Sequence, residues 1–248
     1  MKKLLTFLSL CVLATTAWGL SLEPLTQEFT SSGRGTIQTF RVTNTQQQPV
    51  AVRVGMTTRS ITTEGKEVRE DASELFVVFP ARLLLEPGQS QAVRVQWRGE
   101  ELQERERAFR IVVEQLAVEG GEESEGLRLN FLYRYEGSVY VLPPRVENAE
   151  IALAEVTALP GIDNGRKELL LQFENRGGRH AIVRNPRVTI ARRDGCGNRE
   201  TITLGGDDLP RIAGTNFLAG SAVYQPVFVP ASWEVGELAT SFDFDIAK

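Results

Sequence analysis

The chain has 248 residues, with 28 Lys and Arg against 32 Asp and Glu and a formal charge of −4 at neutral pH. That mild acidity argues against a nucleic-acid partner, which requires a basic surface. Hydrophobic residues make up 42% of the sequence, yet past the N-terminal segment no stretch approaches the roughly 20 consecutive apolar residues of a membrane-spanning helix.

At the N-terminus, Lys2 and Lys3 precede an apolar run from Leu4 to Ala14, itself too short to span a bilayer. Ala17-Trp18-Gly19 then places small residues at the −3 and −1 positions of a cleavage site. This is the pattern of a secretory signal peptide over residues 1–19, with the mature chain expected to begin at Leu20. Export removes Cys11 and leaves Cys196 as the single cysteine, so no internal disulfide is expected and the core must supply the stability. Cys196 lies in Asp194-Gly195-Cys196-Gly197-Asn198, a turn composition that reads as an exposed thiol.

From Leu20 onward the hydrophobic pattern has a period of two. Leu20 to Leu25 predicts a short strand, followed by the Ser31 to Gly35 turn cluster. Thr36 to Asn44 places Phe40 and Val42 on one face, and Val50 to Thr57 alternates through Val50, Val52 and Val54. The charged stretch Glu64 to Glu74 reads as a solvated hairpin or loop. Leu75 to Phe79 is an apolar strand interrupted by Pro80, and Leu83-Leu84-Leu85 runs into the turn Glu86-Pro87-Gly88-Gln89. Ala92 to Trp97 turns Val93, Val95 and Trp97 inward, and Glu100 to Arg107 has the composition of a charged helical turn. Phe109 to Val118 is a further strand before the acidic, glycine-rich loop Glu119 to Gly126.

Leu127 to Pro143 is the longest alternating segment. Leu127, Leu129, Phe131, Tyr133 and Tyr135 fall on alternate positions, Gly137 interrupts the row, and Val139 and Val141 resume it. The segment is about three times the usual strand length of 5–6 residues. Facing only its own core, such a row is ordinary; at a sheet edge it is a template for pairing with another chain. From Arg145 the pattern restarts, with strand candidates at Ile151 to Val156, Lys167 to Asn175, Arg187 to Arg192, Thr201 to Leu204, Ala222 to Val229 and Ser241 to Ile246. Strands at intervals of about ten residues, without helical periodicity, predict an all-β chain of two sandwiches. The first holds about seven strands over residues 20–144 and the second covers 145–248, with the short, proline-containing Pro143 to Asn148 setting a fixed angle between them.

Several of these segments, in their order and spacing, resemble one family: the periplasmic chaperones of the chaperone–usher pilus pathway. The segments are Phe40-Arg41-Val42-Thr43-Asn44 with Pro49, Phe76 to Pro80, Leu83 to Val95, Glu106 to Leu116, Val139-Tyr140-Val141-Leu142-Pro143, and Leu218-Ala219-Gly220-Ser221 with Val227-Phe228-Val229-Pro230. The resemblance implies two immunoglobulin-like domains in a boomerang arrangement, a periplasmic location, and action without catalysis, cofactor or metal. It implies that the long strand is lent to a pilus subunit lacking its own last strand, with Leu127, Leu129, Phe131, Tyr133 and Tyr135 as the subunit-binding row. An outer-membrane usher then receives the subunit. Without a client, two copies are expected to dimerise through the exposed strand.

The best-known members of the family anchor the subunit's terminal carboxylate with an Arg in the first strand and a Lys late in the long strand. Here Thr26 and Ser138 stand at those places. Both are neutral donors, about half as strong toward a carboxylate as a charged one. Arg134 and Arg128, on the other face of the long strand, and His180 in the second half are the remaining cationic candidates.

Other classes fit less well. His180 is the only histidine, it sits beside a turn where it reads as ordinary surface, and neither a GxSxG motif nor paired Cys/His spacing accompanies it. Gly120-Gly121 and Gly205-Gly206 lack the helix a phosphate loop needs. A secreted carbohydrate-binding sandwich is the main alternative, and it would need exposed aromatic side chains; Trp97 reads as core, which leaves Trp233, after Pro230, as the sugar-contact candidate. A pilus subunit itself would have one incomplete domain rather than two.

Overall fold

The computed structural model describes residues 19–116, 132–161, 164–193, 199–234, 236 and 238–246, and these form strands joined by turns and short 3-10 segments. Leu127, Arg128, Leu129 and Phe131 of the long strand, the signal segment up to residue 18, and Cys196 lie outside the described residues.

The first sandwich runs β1 (Leu20–Glu23), β2 (Thr26–Thr30), β3 (Ile37–Asn44), β4 (Val50–Thr58), the hairpin β5 (Ser60–Ile61) and β6 (Glu67–Val68), β7 (Phe76–Phe79), β8 (Arg82–Leu85), β9 (Ser90–Trp97), β10 (Arg107–Gln115) and β11 (Arg134–Leu142). One sheet has the order β1-β3-β9-β7 and the facing sheet β2-β11-β10-β4-β8, with β2 and β11 parallel. The predicted alternation is what fills the space between them. Phe40 and Val42, Val50, Val52 and Val54, Val93, Val95 and Trp97, and Val139 and Val141 are all buried in one core. At its centre Phe76 meets Phe109 and Trp97 edge-on, with ring centroids 4.9 and 5.1 Å apart.

Two expectations change here. The predicted strand Leu20 to Leu25 ends at Glu23 as β1, and a second piece that the pattern did not predict, β2, follows in the other sheet, with the cis Glu23–Pro24 peptide between them. The second piece, TQEFT, shows no alternation because Phe29 is its only apolar residue, yet that one ring is buried and secures the strand. The charged stretch from Glu100 to Arg107 forms no helix. Its end is drawn out toward the second sandwich, where the Glu106 N–H donates to the Gly178 carbonyl at 2.9 Å.

The second sandwich runs β12 (Ile151–Ala158), β13 (Arg166–Asn175), β14 (Ala181–Arg193), β15 (Arg199–Leu204), β16 (Asn216–Phe217), β17 (Ala222–Pro230) and β18 (Leu238–Ile246). One sheet has the order β12-β13-β17; in the other, β14 pairs with β15, β16 and β18. Leu169, Leu171 and Phe173 face Val183, Val188 and Ile190 across its core. Trp233 belongs to that core at 2% exposure, with Nε1 donating to Glu200 at 2.9 Å. A buried indole cannot stack on a sugar, so Trp233, left open by the sequence as a candidate for such contact, has a packing role.

The sandwiches meet through a third buried cluster of Tyr140, Leu142 and Leu218. His180, read from sequence as ordinary surface, is instead part of this joint. Its ring stacks on Tyr140 with centroids 3.5 Å apart, and Nδ1 lies 2.7 Å from Glu106 Oε1. The hairpin β5–β6 crosses the same gap: Thr63 accepts the Tyr224 N–H at 2.7 Å, and Ile61 packs against the second core.

Candidate functional site

Strand β11 is bonded on one side to β10 from Arg134 to Val141. On its other side β2 pairs only with Ser138 to Leu142. Over Arg134 to Gly137, no strand among the described residues covers that second edge. Its unpaired backbone donors and acceptors are what a sheet offers a further strand.

The side chains of this strand keep the predicted phase. Gly137, Val139 and Val141 are buried, while Tyr133 and Tyr135 are half-buried and pack against the first core. The interruption at Gly137 has a steric cause: a Cβ there would come within 2.9 Å of Ile111 Cγ2 and 3.2 Å of the Leu25 carbonyl. On the opposite face Leu132 is 58% exposed.

Of the predicted anchoring residues, the structure brings together two. Thr26 and Ser138 stand opposite one another in the β2–β11 register, and Arg110 and Thr57 continue the same row across β10 and β4. Arg134 is held elsewhere on the sheet, with Nε 2.9 Å from Glu136 and a longer contact of 3.8 Å to Glu114. Arg110 is the residue that sequence reasoning missed. Its Nη1 donates to Ser138 Oγ at 2.7 Å, while Nε and Nη2 grip the Glu67 carboxylate at 2.9 and 2.7 Å. A guanidinium therefore lies beside the place where the long strand itself carries only a hydroxyl. Its sequence signal was slight, one charge within the apolar run from Phe109 to Val113, and only the register reveals what it faces.

Glu67 lies in the segment read as solvated, yet it is the hub of this face. Besides Arg110 it accepts from Arg59 Nε at 2.8 Å and Arg69 Nε at 2.7 Å, and Arg69 also bonds Glu136. Burial alone would raise its carboxyl pKa, but the bond from Arg110, the charge of Arg59 and the bond from Arg69 overcome this and hold it at about 2, against an ordinary 4.5. With the folded value depressed, the stabilisation is fully present above about pH 4.5 and is lost as the pH falls toward 2. Denaturant unfolding at pH 7 and pH 2.5 is expected to show a loss from this group of at most about 3 kcal/mol, and a smaller pH dependence in Glu67→Gln. Identical pH dependence in the two proteins would contradict the network.

A family model described as pili and flagellar-assembly chaperone, PapD N-terminal domain, matches residues 27–147. A sequence comparison with curated proteins finds no match. Solved structures of similar fold include the class 5 fimbriae chaperone CfaA, at TM-score 0.54 and 13% identity, covering 90% of this chain and 98% of that one. The E. coli chaperone DraB has a TM-score of 0.52 and 17% identity, covering 85% and 87%. A chain of the CsuC–CsuE chaperone–tip adhesion subunit pre-assembly complex of Acinetobacter baumannii has a TM-score of 0.51 and 14% identity, covering 83% and 89%. At such identities these likenesses are of fold, and they extend across both sandwiches. The first sandwich therefore belongs to the PapD N-terminal domain family of pilus-assembly chaperones, and the paired immunoglobulin-like architecture of those chaperones continues through the second.

Proposed function

We propose that this chain is a periplasmic chaperone that folds and caps pilus subunits and delivers them to an outer-membrane usher, by donating its long strand to a subunit that lacks one. The observation that carries the reading is the edge of β11 from Arg134 to Gly137, which no strand among the described residues covers, with Tyr133 and Tyr135 in phase in the sequence with Leu127, Leu129 and Phe131. Backbone bonds along such an edge supply affinity, and alternate side chains entering an open groove supply specificity. Each large apolar side chain buried contributes roughly 1.5–3 kcal/mol before ordering costs. Residues 20–144 are the client-binding domain in this reading and 145–248 the second domain. The N-terminal signal pattern and the family membership support the periplasm, and the mode of action requires no catalytic group.

Arg110 takes the role of the charged anchor, gripping the subunit's terminal carboxylate beside Ser138 and Thr26. Without a client, the same edge pairs two copies of the chain. A carbohydrate-binding reading loses its main support with the burial of Trp233.

Co-expression with small secreted β-rich proteins of the pilus-subunit type, followed by purification from the periplasm, tests the proposal. A one-to-one complex is expected, and Leu129→Ser with Phe131→Ser should abolish it while leaving the far-UV spectrum and melting temperature of the chaperone unchanged. Full client recovery by the double variant would overturn the assignment of the strand.

A further inference from the structure

Three arginines converge on one carboxylate on the outer face of the first sandwich. Glu67 Oε1 accepts from the Nε atoms of Arg69 and Arg110, and Oε2 accepts from Arg59 Nε and Arg110 Nη2. Its lone pairs are filled, but three positive charges meet one negative, and Glu136 offsets them only by sharing itself between Arg69 and Arg134. Glu67 and Arg110 are carried by different elements, whereas Arg59 and Arg69 flank the hairpin that carries Glu67. Arg110 sits on β10 within the five-stranded sheet, and the Arg59 side chain is only 7% exposed, its Nη1 also donating to the buried Tyr140 hydroxyl at 2.9 Å. Glu67, by contrast, is carried on β6, one of two strands of two residues each, closed by the turn bonds between Thr62 and Lys66 and between Gly65 and Thr62. Carboxylates and guanidinium forks pair in one favoured bidentate geometry, so a second carboxylate reaching Arg110 meets the one already there.

We propose that Glu67 is an internal carboxylate that occupies the arginine site when no client is bound and competes with the terminal carboxylate of a polypeptide for Arg110. The inference rests on the reading of Arg110 as the client anchor, and it adds that the anchor is self-occupied. Binding exchanges one carboxylate for another on Arg110, and the excess positive charge contributed by Arg59 and Arg69 accommodates both.

The test uses the full mature chain and two acetylated decapeptides of alternating valine and threonine, one ending in a free carboxylate and one in a carboxamide. The free-carboxylate peptide is expected to bind Glu67→Gln about tenfold more tightly than the wild type, with no such gain for the amide. Arg110→Gln is expected to lose the preference for the carboxylate. Glu67→Asp, which keeps the charge one methylene shorter, serves if Glu67→Gln does not fold and is expected to show an intermediate gain. No gain on changing Glu67, including no measurable binding by any variant, overturns the inference. Lost preference in Arg110→Gln with no gain in Glu67→Gln would leave the anchor standing and remove only the competitor, whereas binding in which preference persists in Arg110→Gln would remove the anchor itself.

Discussion

Replacing Phe109 with alanine is expected to destabilise the protein by about 3–5 kcal/mol, as large-to-small changes of buried aromatic residues do. Phe109 has no exposed surface and lies on β10, between β11 and β4 in the five-stranded sheet. Its ring meets Phe76 at 4.9 Å and Trp97 at 5.5 Å, and the Arg107 guanidinium stands 5.3 Å from its centroid. These neighbours are fixed on strands of both sheets, so the cavity has little room to collapse. The denaturation midpoint should fall with the slope unchanged. A loss below about 1 kcal/mol would show that the aromatic cluster is not the centre of this core.

Replacing His180 with alanine is expected to cost about 3 kcal/mol or more and to loosen the two sandwiches from each other. The Glu106 side chain is 1% exposed, and its Oε1 is held by the His180 backbone N–H at 2.6 Å and by the ring at 2.7 Å. Oε2 is buried and has no hydrogen-bond partner among the described residues. Without the imidazole, the carboxyl group loses its side-chain partner, and Tyr140 loses the ring stacked on it. Adding Glu106→Leu should recover part of the loss, because it removes the buried carboxyl group left short of partners, and only the backbone N–H of residue 180 then loses its acceptor. Calorimetry should show one transition in the wild type and two in His180→Ala. A single unshifted transition would mean that the joint is held by Leu142 and Leu218 instead.

The strands of both sandwiches were legible where alternation was strong, as at Val50 to Val54 and Leu169 to Phe173, because a half-buried strand must alternate. What escaped depends on contacts distant in sequence. Strand β2 carries a single buried ring in a polar segment, which no local period marks. His180 and Trp233 each stand in loop-like sequence, and only the partners Glu106 and Glu200 explain their burial. Glu67 lies among charges that read as solvated, and it becomes a hub because Arg110, 43 residues later, faces it. At the site, the family resemblance singled out Thr26 and Ser138, whereas their pairing and the approach of Arg110 required the β2–β11 and β10–β11 registers.

Amide hydrogen exchange along β11, with and without a bound subunit, tests the central claim most directly. The account predicts that the amides of Arg134 to Gly137 that point away from β10 exchange freely in the isolated protein and become protected in the complex. A stable complex in which those amides remain unprotected would contradict strand donation.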